Sequence, residues 1–204
     1  PASECGGDWW HYFEKGDSIW VCIGDVTGHG VGAAMLTSSV RAAFTFFEKQ
    51  DDLTPSQALA RLNQVVWESV GGRLNVAFAI VEMNRRTRRL RYASASHEQP
   101  MLLRKNAELD KNEVVYLMDA NGPRMGQRAE SVYGENEIEV PPGSRLICYS
   151  DGIYDVEDKD GKALGESRLL RQILKFNGRT ETADAFVESL LSEITKFRGM
   201  SPLR

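Results

Sequence analysis

Residues 22–36 read CIGDVTGHGVGAAML. A run of buried-strand character stops at Asp25. Small residues and a histidine follow, and helical spacing begins near His29. A strand delivering a carboxylate to a glycine-rich corner, with a helix leaving it, is the unit around which the remaining chain can be ordered. Upstream, DWWHYFEKGDSIWVCIGD alternates aromatic and β-branched residues about Lys15-Gly16-Asp17, the pattern of a hairpin. Downstream, Ala33, Val40, Ala43, Phe44 and Phe47 share one helical face. A second helix is expected from Thr54, with Pro55 at its first position and Gln57 completing a capping box. Ala58, Leu59, Leu62, Val65 and Val66 form its buried stripe, and Gly71-Gly72 end it.

Strands then return. LNVAFAIVEMN and RRLRYASAS flank a turn at Asn84–Thr87. Shorter candidates follow at MLLR, VVYLM and NEIEV, then a strong one, SRLICYS, launched by Pro141-Pro142-Gly143 and running into Asp151. Two helices close the chain near 165–176 and 181–197. Strands that are neighbours in sequence predict antiparallel sheets with helices outside, an α+β fold of two packed antiparallel sheets flanked by helices.

Length and composition narrow the function. The 204 residues can bury a full core and are expected to form a single domain, 1–204. A net charge of −4 argues against nucleic acid as an obligate partner. No apolar run approaches the ~20 residues needed to cross a bilayer. Cys5, Cys22 and Cys148 are odd in number and form no CxxC pair, which suggests reduced cytoplasmic thiols, with Cys22 and Cys148 in the core. The start, PASECGGDWW, has no signal peptide and no initiator Met, as expected of a piece of a longer chain.

Three acidic stretches share a chemistry: GGD ending at Asp8, GDVTGHG containing Asp25, and YSDGIYD containing Asp151. A carboxylate at the end of a buried strand is rigid but costly without a partner. Several brought together repel unless a cation lies between them. Hard divalent ions with oxygen ligands, Mg²⁺ or Mn²⁺, meet that need, and two such ions can direct a hydroxide at phosphorus. Asp-Gly turns and helix-capping aspartates are the plainer reading of each stretch taken alone, and spacing does not show that the three converge.

GGDWW, GDVTGHGVGAAM, YASASHEQP, GPRMG and YSDGIYDVED occur in an order that resembles the SpoIIE-like branch of the metal-dependent type 2C (PPM) protein phosphatases. The resemblance runs from residue 6 to about 158. It implies an αββα sandwich and a two-metal centre of Mn²⁺ or Mg²⁺. It also implies hydrolysis of protein phosphoserine or phosphothreonine by water activated at the metals, with bacterial anti-sigma factor antagonists as frequent partners. On this resemblance Asp25 bridges the metals, the Val26 carbonyl and Asp8 hold one ion, and Asp151 holds the other, making Asp25 and Asp151 the catalytic pair. Gly24, Gly28, His29 and Gly152 shape the site. An upstream regulatory or sensor domain, possible homodimerisation and a bacterial cytoplasmic location are further expectations. Because the helix beginning near His29 is covalently close to Asp25, a rigid shift of it would move Asp25 and Val26.

Two departures stand out. The family's last strand carries an Asp-Asp pair, whereas this sequence ends FRGMSPLR, so the chain is expected either to be cut before that strand or to lack one ligand altogether. Ser96 stands where the family usually has Gly, a change that is small in size. The alternative function is a catalytically impaired pseudophosphatase that binds a phosphoprotein or a regulator. A nucleotide-binding loop is disfavoured, since GDVTGHG lacks a GKS/T signature. His97 is expected to hold backbone rather than do chemistry, His11 to matter little, and the arginines of 85–91 to form a solvated edge.

Overall fold

The structure, a computed structural model, describes residues 7–106, 108–175 and 182–199. Cys5 and the terminal SPLR lie outside them. The chain divides into two compact units, residues 1–100 with 117–140, and residues 101–116 with 141–204. Each has an antiparallel sheet with helices, the α+β class that the strand order predicts.

In the first unit β1 (Trp9–Lys15) and β2 (Ser18–Val26) form the expected hairpin, with Gly16 at a φ of 56° in its two-residue turn. β3 (Val76–Asn84) and β4 (Arg89–Ala95) form the next hairpin, giving the order β1-β2-β3-β4. β8 (Asn136–Glu139) lies antiparallel to β4, and the two-residue β7 (Asn121–Gly122) pairs with β4 in parallel.

β2 alternates strictly, with Ser18, Trp20, Cys22, Gly24 and Val26 buried on one face and Ile19, Val21, Ile23 and Asp25 on the other. The first face receives α1 (Val31–Phe47) and α2 (Pro55–Val70). One core joins Trp20, Cys22 and Val26 to Ala33, Leu36, Val40 and Phe44 of α1 and Leu59, Leu62 and Val66 of α2. Phe44 anchors it, meeting Trp9, Phe13 and His11 edge-on at centroid separations of 5.8, 5.8 and 6.3 Å. The capping box of α2 forms as expected, and Gly71 stops the helix in the left-handed region. Trp9 turns inward and Trp10 outward, 68% exposed, as strand alternation requires.

His11 has more to do than its expected idleness. It stacks between Trp9 and Phe13, and its Nε2 lies 2.8 Å from Glu48 at the end of α1. The arginines of 85–91 are also more tied than a solvated edge implies. Arg85 pairs with Glu14, Arg86 with Asp17 and Arg89 with Glu137, while Arg91 grips the buried Glu82.

The second unit has the order β6-β5-β9, from β5 (Met101–Asn106), β6 (Lys111–Tyr116) and β9 (Arg145–Ile147). Met101 and Leu103 share a core with Leu169 and Ile173 of α3 (Glu166–Leu174) and Phe186, Leu190 and Ile194 of α4 (Ala183–Arg198). The strand before Asp151 is shorter than SRLICYS predicts. Its last residue paired with β5 is Ile147, opposite Met101. Cys22 is buried as expected, whereas Cys148 is half-buried and lies outside the core cluster, although desolvation still pushes its thiol up to about 12.

Candidate active site

Asp25 and Asp8 meet through the β1–β2 register. Trp9 lies opposite Gly24, so one step back sets Asp8 opposite Asp25 and Gly7 opposite Val26. The Val26 N–H donates to the Gly7 carbonyl at 3.3 Å, and Thr37 Oγ1 from α1 donates to that same oxygen at 3.3 Å. Directly opposed residues of an antiparallel pair share a face, with Cβ atoms about 5 Å apart. Two like charges so placed disfavour the fold unless a cation compensates them.

Gly7 fixes how closely the segments approach. A Cβ there would lie 2.5 Å from the Val26 carbonyl oxygen and 3.0 Å from Asp25 Oδ1. Both oxygens therefore crowd the Gly7 Cα, and a side chain at this position would push the two segments apart. With Asp8 at the rim, the donors are two carboxylates and a carbonyl, all hard oxygen, the set that Mg²⁺ and Mn²⁺ prefer. The residues present fit such an ion. Among the described residues, however, no three His, Cys, Asp or Glu side chains gather as a metal-holding group.

The glycines differ in what they do. The volume that a Gly24 Cβ would take is filled by the Phe78 ring, on the helix-facing side of the sheet. Gly28 has a φ of 91° with open space around it, and Gly28 and His29 are both exposed in the corner leading to α1. Asp151 and Gly152 belong to the second unit, where Asp151 opens a 3₁₀ turn, Asp151–Ile153. Its carbonyl accepts from the N–H groups of Tyr154 (2.9 Å) and Asp155 (3.0 Å).

Several supporting residues were not legible as such. Thr27 and Asn75 lock the corner after Val26. The Thr27 N–H donates to the Asn75 carbonyl at 2.9 Å, and the Asn75 N–H donates to Thr27 Oγ1 at 3.0 Å. Asn63, buried within the apolar stripe of α2, accepts from the Gly126 N–H (2.9 Å) and the Tyr133 hydroxyl (3.4 Å). It donates to the carbonyls of Arg128 and Ala129, each at 3.0 Å. A polar residue inside an otherwise apolar helical face was the only signal for it. Burial pushes the Tyr133 phenol up to about 12.

Ser96 is a conformational matter rather than one of size. Its φ is 57°, a left-handed position that glycine adopts freely. The strain is offset where Ser96 Oγ donates to the Gly122 carbonyl at 2.7 Å and the Ser96 N–H donates to Asn121 Oδ1 at 2.9 Å. His97 is buried, with Nδ1 3.1 Å from the Glu98 carbonyl, in keeping with a backbone-holding role.

The comparisons with known proteins agree with this architecture. Residues 15–202 match the family described as Stage II sporulation protein E (SpoIIE). Among curated proteins the chain is similar to Phosphoserine phosphatase RsbU of Bacillus subtilis, at 27% identity over 161 residues, which cover 79% of this chain and 46% of that protein. It spans less than half the length of the curated relatives it matches. Among solved structures it is similar to the SiaA-PP2C domain of Pseudomonas aeruginosa. That match has a TM-score of 0.82 and 23% identity, over 100% of this chain and 79% of that one. RsbX, solved in complex with magnesium, matches with a TM-score of 0.68 and 15% identity over 96% of this chain and 81% of that one. The chain belongs to the family described as Stage II sporulation protein E (SpoIIE).

Proposed function

We propose that this chain hydrolyses phosphoserine or phosphothreonine on a protein with the help of divalent cations, Mn²⁺ or Mg²⁺. The supporting observation is the close approach of the segment before β1 to the end of β2, which brings Gly7 against the Val26 carbonyl and Asp25 Oδ1 and sets Asp8 opposite Asp25 in register. Asp8, Asp25 and the Val26 carbonyl would hold one ion, and Asp25 and Asp151 the other. Bound there, such ions supply Lewis acidity and lower the pKa of water. The chain's own part is to hold two carboxylates on a stiff strand pair and to keep side chains out of the space a phosphoryl group enters. Gly28 and Gly152 leave that approach open, and His29 lines it.

The substrate class that this reading favours is a phosphorylated bacterial signalling regulator of the anti-sigma factor antagonist type, met in the cytoplasm. Residues 1–204 would act as one domain under an upstream regulatory or sensor domain, as a monomer or a homodimer. Among the described residues no helix is long and apolar enough to cross a membrane.

A second reading has one observation in its favour, the lack of a three-acid metal group among the described residues. On that reading the chain binds a phosphoprotein without cleaving it. Phosphate release from a phosphoserine peptide in Mn²⁺ separates the two. Turnover that falls about 100-fold or more in Asp25→Asn and in Asp151→Asn supports the enzyme. Tight peptide binding without release supports the binding module.

A further inference from the structure

The row of residues through Asp8 and Asp25 continues across the sheet. Asp25 lies opposite Ala77 of β3. One residue back, Val76 is bridged to Met125 by a reciprocal pair of backbone hydrogen bonds, each 2.9 Å. Val76 and Met125 are both buried in the helix-facing core that also takes Val26. Side chains alternate along extended backbone, so Arg124, the residue before Met125, falls on the opposite face. That is the face of Ala77 and Asp25. The row therefore reads Asp8, Asp25, Ala77, Arg124.

The spacing suits a ligand. Strands lie ~4.8 Å apart, which sets the Arg124 Cα about 10 Å from that of Asp25. Ala77 lies between them with only a methyl group, and Arg124 is exposed at the rim. Its backbone is held on the C-terminal side. The Met125–Val76 bridge follows it directly, and Asn63 accepts the Gly126 N–H one residue further on.

We propose that Arg124 binds the phosphoryl group of the substrate, which lies over Ala77 between the Asp8–Asp25 carboxylates and the guanidinium. This rests on the phosphatase reading above and adds a substrate-binding residue to it. The planar fork of arginine matches two phosphate oxygens at once, which a lysine ammonium does not.

The test is calorimetric binding of inorganic phosphate to the chain in Mn²⁺, for wild type, Arg124→Ala and Arg124→Lys, alongside Mn²⁺ affinity and KM for a phosphoserine peptide. Phosphate affinity should fall about tenfold or more in R124A and recover only in part in R124K. KM should rise in parallel, with Mn²⁺ affinity unchanged. Phosphate binding as tight in R124A as in wild type, or no phosphate binding to wild type at all, overturns the proposal. Absent hydrolysis by the wild type, with phosphate binding still dependent on Arg124, would instead overturn the phosphatase reading and leave this one standing.

Discussion

The β2–β3 pair carries a carboxylate near each end, and the two ends are built in opposite ways. At the Ser18 end Glu82 is 8% exposed and held by charge: Ser18 Oγ donates to it at 2.9 Å and Arg91 Nε at 2.9 Å. Arg91 also lies 3.9 Å from Glu135, whose other oxygen accepts the Ser56 N–H in the first turn of α2. At the Val26 end Asp25 stands beside a glycine, and its surroundings are fixed by neutral groups: the Val26–Gly7 bond, the Thr27–Asn75 lock and the Asn63 clamp on Gly126. At the Ser18 end a protein cation holds the acid; at the Val26 end the backbone around the acid is fixed by hydrogen bonds between neutral groups.

That contrast can be broken from either side. Asn63→Ala removes the clamp at the Asp25 end and orphans the Gly126 N–H, so it should cost about 3 kcal/mol of stability in urea unfolding. It should also lower turnover measured at full folding, because the segment bearing Arg124 and Met125 is loosened; unchanged turnover would separate Asn63 from the site. Glu82→Ala strips Arg91 of its carboxylate at the other end and should cost about 2 kcal/mol, with turnover per folded molecule unchanged. A loss of activity larger than the loss of folded protein would mean that the two ends are coupled. Thr54→Ala, which removes the α2 cap at the Glu82 end, should cost about 1 kcal/mol and leave Mn²⁺ affinity as it was.

Much of the frame was legible because its signals are local. The Gly16-Asp17 turn, the Thr54–Gln57 capping box and the Gly71 stop each depend on a few adjacent residues. The remainder depends on partners distant in sequence. Glu82 reads as an exposed strand residue until Arg91 is folded back onto it. Asn63 looks out of place in its helix until residues 126–129 arrive. At the site, Asp25 was singled out by its glycines, but the reason for Gly7 needed the register, since only the hairpin brings it against the Val26 carbonyl. Arg124 needed two registers, β2 on β3 and β3 on Met125, neither of which can be counted along the chain.

Whether Asp8 and Asp25 share a divalent cation across the β1–β2 register is open to direct test. The direct measurement is Mn²⁺ binding by calorimetry to wild type, Asp8→Asn and Asp25→Asn, with each variant first shown to be folded by circular dichroism. Each substitution should weaken the site about tenfold or more, and the double variant should lose less than the product of the two, as expected of ligands to one ion. Mn²⁺ binding that ignores both substitutions, or two losses that multiply independently, would contradict the account.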